Sequence, residues 1–397
     1  MTFGPSYFDA FATIPDAKYV VDIPMKKNKL ANSKAFAKAA YNKIGADNIV
    51  GLEIGNEPDN YGLSKQAYVS RWKKWSTQIL QTLGLGEQEK IFQAVCLASQ
   101  TGKTGSPGAP GGWRVPELFD LGLKDVKSRI GTVSMHYYQT KVRTDSDLQR
   151  DIMNHTAVVH GSSFVKDAVV FLNNIIAPIP LALAEVGSIL GSGNASQNNA
   201  LAAVFGSALW QVDFSLYSMS IGVQRINWQS GLGFPFALWN PQYEHNGKTV
   251  PASVHPAFYG HVFAGEFVGK TSNIRVKHLE LGRPFLAGYA AYDAGRLARI
   301  ALVNLELWSE GDGNRLEKKI TLDIGVGVSE VSIKRLTSEM GGTARVGNIT
   351  WGGVQWTVNS GGKEVKVLND TTTVPVDRGM VEIGIEASEA VMIKLSG

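Results

Sequence analysis

Three short segments hold the residues whose types and spacing could do chemistry. The first, Glu53-Ile54-Gly55-Asn56-Glu57-Pro58-Asp59, closes an apolar run over residues 49–54. Strand alternation puts Glu53, Gly55 and Glu57 on one face, with Glu57 nearest the strand end. Pro58 lacks an N–H and stops the strand there. Asn56 carries an amide that can donate to a substrate hydroxyl. The second segment, 179–188, is six uncharged, mostly apolar residues followed by a lone carboxylate, Glu185. A charge after such a run is costly unless it is used or paired. The third, Thr132-Val133-Ser134-Met135-His136-Tyr137-Tyr138, puts His136 and Tyr138 on one face. Each segment alone also fits an ordinary structural role: a polar turn, a salt-bridged glutamate, a satisfied histidine.

Two carboxylates at strand ends suit glycoside hydrolysis. One protonates the leaving oxygen while the other attacks the anomeric carbon or activates water, and their separation decides which. The acid works best with a raised pKa, which burial and a neighbouring carboxylate supply.

Such residues need a scaffold, and the chain is long enough for one. Its 397 residues are 44% hydrophobic and 19% charged, a globular balance with room for two domains. The formal charge of +4 is spread thinly, with no long Lys/Arg block, so a nucleic-acid footprint is unsupported. The single cysteine, Cys96, excludes an internal disulfide and sits in an apolar run, as a core thiol would. No His/Cys spacing predicts a metal site, and no cofactor is called for. No apolar stretch is long enough to span a bilayer. The sequons at Asn154, Asn194, Asn348 and Asn369 are about as many as chance supplies.

Over the first 240 residues strand-like runs alternate with helical periodicity. Strands are predicted at 19–24, 49–54, 91–99, 130–137, 179–185 and 224–229. Helices are predicted at 33–44, 64–83, 199–219 and 256–268. On the second helix Tyr68, Trp72, Trp75, Ile79 and Leu83 share one face and read as core. Alternating βα units imply a parallel sheet. With no Gly-x-Gly-x-x-Gly after the early strands, a (β/α) barrel is the expected architecture. Its catalytic groups sit where strands end. From about residue 270 the pattern becomes short alternating strands with Gly, Asn and Asp turns, as in an antiparallel β-sandwich. The expected domains are 1–269, the barrel, and 270–397, the sandwich.

The Asn56-Glu57-Pro58 run at a barrel strand end resembles the signature of clan A glycoside hydrolases. In that clan the acid/base follows the asparagine on the fourth strand and the nucleophile lies on the seventh. Here the corresponding strands are the second and fifth predicted, with the same offset. The chain more closely resembles glycoside hydrolase family 79, which holds β-glucuronidases and heparanase. The resemblance runs through Phe3-Gly4-Pro5-Ser6-Tyr7-Phe8, residues 53–59, 136–138 and 184–188, and the C-terminal sandwich.

The resemblance implies Glu57 as acid/base, Glu185 as nucleophile and Asn56 on the sugar 2-hydroxyl. His136 and Tyr138 would line the site. Backbone amides of the loop Leu190-Gly191-Ser192-Gly193 would hold a uronate carboxylate, as an anion-binding nest does. The expected activity is retaining exo-β-glucuronidase action on terminal glucuronic acid, with or without 4-O-methylation. The expected partner is a glucuronic-acid-containing glycan, without nucleic acid or membrane, and the expected setting is extracellular. Two readings compete: an inactive or sugar-binding fragment, and another clan A exo-glycosidase such as an arabinofuranosidase. The first arises because two family strands should precede residue 19, where only 18 residues stand, and because the N-terminus lacks the pattern of a secretion signal. An incomplete barrel is therefore expected. Asn227, Gln229 and Trp113 are further pocket candidates with equally good structural roles.

Overall fold

The computed structural model describes residues 4–14, 16–98, 112–175, 177–191 and 194–395. Six strands form one sheet in chain order: β1 (Tyr19–Ile23), β2 (Ile49–Ile54), β3 (Phe92–Leu97), β4 (Ile130–Lys141), β5 (Leu181–Leu190) and β6 (Arg225–Trp228). Pairs β1–β2, β2–β3 and β3–β4 are parallel. Helices connect them, among them α1 (Leu30–Ile44), α2 (Lys65–Leu83), α3 (His155–Gly161), α4 (Ser163–Asn174) and α5 (Phe205–Ser220), and α6 (Pro256–Val268) follows β6.

Helix α2 shows why the sequence folds this way. Ser64 caps it by accepting from the Ala67 N–H at 3.1 Å. Tyr68, Trp72, Trp75 and Ile79 are buried, and the Trp72 ring meets Phe92 of β3 edge-on. Gly84 ends the helix in the left-handed region at φ 71°.

The C-terminal strands form two antiparallel sheets. In the larger, β7 (Ile274–Leu279), β8 (Leu286–Asp293), β9 (Arg296–Asn304), β14 (Glu389–Leu395) and β11 (Glu330–Thr337) are neighbours in that order. Strand β12 (Thr371–Pro375) also pairs with β11. The smaller pairs β10 (Glu317–Asp323) with β13 (Met380–Glu386). Aliphatic residues of both sheets, such as Ile300, Leu302, Val331, Ile383 and Ile393, form a common core. The β8–β9 hairpin turns on Ala294 and Gly295, both at positive φ, as a two-residue turn of the mirror-image type requires. A barrel-type parallel sheet followed by an antiparallel sandwich is thus the architecture that the patterning implied.

The chain divides into two compact units. One comprises residues 1–137, 163–186 and 222–227, and the other residues 138–162, 187–221 and 228–397. Residues 5–13 form a 3-10 helix with Pro5 in its first turn and no side-chain cap. The helix expected over 199–219 is broken. Ala203 and Val204 leave helical geometry, and the N–H groups of Phe205 and Gly206 donate to the carbonyls of Ala344 and Gly342.

Candidate active site

The site grows from the ends of β2, β3, β4 and β5 within the first unit. Strand β2 stops at Ile54, two residues before Asn56. Gly55 turns at φ 88°, where an added Cβ would stand 2.9 Å from the Met25 methyl. Glu57 then takes a left-handed conformation, φ 50° and ψ 59°, and Pro58 opens a 3-10 turn behind it. The expected simple alternation of Glu53, Gly55 and Glu57 on one face ends at the strand terminus. What places Glu57 is a double turn, fixed by its own N–H donating to the Cys96 carbonyl at 3.1 Å.

His136 on β4 gathers the two candidate carboxylates. Its Nδ1 lies 3.0 Å from Glu57 Oε1 and 3.9 Å from Glu185 Oε2. Those two oxygens are therefore no more than 6.9 Å apart, the sum of the two distances. A carboxylate can only accept, so Nδ1 carries the hydrogen toward Glu57. Asn60 Nδ2 donates to Glu57 Oε2 at 3.0 Å. The His136 side chain is only 2% exposed, against 29% for Glu57 and 27% for Glu185. Both acids thus reach solvent from a ring that does not. Burial opposes a charge on His136, but the Glu57 hydrogen bond and the Glu185 and Glu53 carboxylates outweigh it and hold its pKa above the usual imidazole value.

Beneath this pair lies a polar row across the sheet. Asp22, Glu53 and Gln93 are partners in register on β1, β2 and β3. Glu53 accepts from Gln93 Nε2 and from Ser134 Oγ, the latter at 2.6 Å, and Arg225 donates to Gln93. Burial, with the Glu53 charge alongside, pushes the Asp22 carboxyl up to about 7. Burial also raises Asp59, although the Ala98 N–H donates to it at 3.1 Å.

Of the sequence-predicted residues, Glu57, Glu185, His136 and Asn56 lie in this unit, and Asn56 is exposed at the β2 end. Tyr138 lies two residues farther along β4, in the second unit. There it packs on Gly187, where an added Cβ would stand 2.7 Å from the ring, and edge-on to Phe236. Gly191 follows β5 beside Asn198; Ser192 and Gly193 lie outside the described residues. Asn227 on β6 and Gln229 are half-buried. Trp113 is buried against Tyr68, a packing role. Reasoning from sequence missed Asp22, Gln93, Ser134 and Arg225. Their one signal was polarity inside runs that otherwise read as buried strand.

Residues 288–392 match the C-terminal beta domain of glycosyl hydrolase family 79. A beta-glucuronidase of Aspergillus niger is 27% identical over all of this chain and 76% of its own length. The chain thus carries the family 79 C-terminal beta domain and is similar over its whole length to a beta-glucuronidase. A beta-glucuronidase of Neurospora crassa is 26% identical over 96% of the chain and 75% of its own length. In fold, the chain matches a 4-O-α-L-rhamnosyl-β-D-glucuronidase of Fusarium oxysporum 12S with a TM-score of 0.79. That match covers 99% of the chain and 80% of the other, at 20% identity.

Proposed function

We propose that this chain is a retaining exo-β-glucuronidase of family 79, with Glu57 as acid/base and Glu185 as nucleophile. The observation that carries the reading is the convergence of both carboxylates on one imidazole nitrogen, which bounds their facing oxygens to 6.9 Å. Retaining pairs stand about 5–5.5 Å apart and inverting pairs about 6.5–9.5 Å, so the bound admits the retaining separation and excludes all but the shortest inverting ones. The related beta-glucuronidases support the substrate class.

In the first step Glu57 gives its proton to the glycosidic oxygen as Glu185 attacks the anomeric carbon. The C–O bond breaks and a glycosyl-enzyme forms. Glu57, now a carboxylate, takes a proton from water, whose oxygen displaces Glu185. His136 holds Glu57 through Nδ1–H in both roles. Asn56 is assigned to the 2-hydroxyl, Tyr138 to the sugar site, and the amides of residues 191–193 to the uronate carboxylate. The extracellular setting belongs to the same proposal.

Steady-state assays with aryl β-glucuronide, β-glucoside and α-arabinofuranoside test it. We expect turnover of the glucuronide alone and its loss in Glu185→Gln. Glu57→Gln should keep some activity on an activated aryl leaving group, with azide restoring turnover by replacing the water that Glu57 activates. Wild-type-like turnover by Glu185→Gln would overturn the assignment, and preference for the arabinofuranoside would overturn the substrate.

A further inference from the structure

Cys96 is unused by the mechanism above, yet the fold goes to some length to aim it. Val95 and Cys96 take positive φ values of 84° and 47°, inside a strand. The β3–β4 register slips between Val95 and Leu97, leaving Cys96 as the extra residue of a bulge. A valine at positive φ is an outlier, and bulges beside active sites re-aim side chains. Here the bulge points the thiol at the imidazole, with Sγ 3.3 Å from His136 Nε2.

One ligand-type atom each from Glu53, Cys96 and His136 lies within 4.8 Å of the others, and all three residues are buried. They come from three adjacent strands, β2, β3 and β4. We propose that they form a site for one soft divalent cation of the zinc class, directly behind the Glu57 carboxylate. Zinc binds sulfur at about 2.3 Å and imidazole nitrogen at about 2.0–2.1 Å, so tetrahedral ligands stand roughly 3.5 Å apart. The observed S–N distance needs only a few tenths of an ångström of adjustment. A thiolate with an imidazole selects zinc-like ions over magnesium or calcium. The thiol proton leaves as the metal–sulfur bond forms. Asn56 Oδ1, 4.0 Å from Sγ, marks the side where a fourth ligand or water would sit.

The surrounding groups fit as well. Metal-binding histidines donate their other ring N–H to a carboxylate, and ligating carboxylates are themselves hydrogen-bonded. His136 gives Nδ1–H to Glu57, while Glu53 is held by Ser134 and Gln93. A cation on Nε2 would fix the His136 ring between Cys96 and Glu53 and move Nδ1–H relative to Glu57, misplacing the acid/base. Occupancy therefore inhibits. Only this last consequence rests on the proposed function.

The test is a Co²⁺ titration of the metal-free full chain, followed in the near ultraviolet for thiolate charge transfer. With one cysteine in the chain, any such band reports Cys96. We expect saturation at one equivalent, displacement by Zn²⁺, and no band in Cys96→Ser. Ser134→Ala, which keeps every ligand, should weaken binding about tenfold or more. Zn²⁺ should slow aryl-glucuronide hydrolysis reversibly in wild type and leave the rate of Cys96→Ser at its own metal-free value. Absence of a saturable cobalt band in wild type would overturn the site, as would unchanged affinity in Ser134→Ala. A band without turnover in any variant would uphold the site and count against the hydrolase reading.

Discussion

His136 faces Glu57 and Glu185 through a single nitrogen, so it sets where the acid/base sits relative to the nucleophile. Replacing it with Asn frees Glu57 to rotate. Misplacing a catalytic group by about 1 Å costs on the order of 10²-fold in rate. We expect His136→Asn to lower kcat by about that factor with KM little changed, as steady-state kinetics would report. Asp22 yields a separate prediction. Its folded pKa of about 7 lies well above the ordinary carboxyl value, so between roughly pH 4 and 7 the folded state binds more protons than the unfolded state. Stability therefore falls as pH rises through that window, and the full cost is present above it. Asp22→Asn removes the charge and keeps an acceptor for the Gly55 N–H. Urea melts should show it more stable than wild type at pH 8 and equal to it at pH 4. Equal stabilities at pH 8 would contradict the burial argument. At this scale the acidic pair was legible, because Asn-Glu-Pro and a carboxylate ending an apolar strand are local signals. The row Asp22, Glu53, Gln93 and Ser134 was not, because it exists only through cross-strand register.

Elements were legible where one physical signal dominated. Strand β2 and helix α6 fall on their predicted residues, the one bounded by an apolar run and the other opened by Pro256. The break at Ala203–Val204 was not legible, because hydrogen bonds to Gly342 and Ala344, far along the chain, replace those of the helix. Likewise, no pattern in residues 91–99 announces the bulge that aims Cys96. Termini with local chemistry can be tested directly. Gly84 closes α2 at φ 71°, donating to Gln81 and Leu80 carbonyls, and an added Cβ there meets nothing within 4 Å. A Gly84→Ala change is therefore purely conformational and should cost about 1 kcal/mol, read as a lower thermal midpoint. A loss of several kcal/mol would mean that Gly84 has a packing role.

Over the whole molecule, the second unit joins helices from the barrel portion of the sequence to the sandwich strands. Within it, buried Asp213 of α5 faces His155 of α3, with His155 Nδ1 3.0 Å from its Oδ1, and accepts from Tyr289 OH of β8. On α6, Phe263 meets the Trp351 ring at 4.7 Å. The Tyr259 hydroxyl accepts from the Trp356 N–H, and Glu266 accepts from Trp351 Nε1. Tyr259 and Phe263 are fully buried. Ending the chain at residue 269 removes Tyr289, Trp351 and Trp356 together. Each large side chain so uncovered forfeits about 1.5–3 kcal/mol, and Asp213 loses its tyrosine partner inside an opened core. Domain stabilities are only about 5–15 kcal/mol, so two or three such losses suffice to unfold α5 and α6. We expect a fragment of residues 1–269 to lack a cooperative melt and to bind a dye for exposed apolar surface. A sharp calorimetric transition of that fragment, with no dye binding, would show that the helices hold without the sandwich. Any glycosidase activity it then kept would make the sandwich dispensable for chemistry as well.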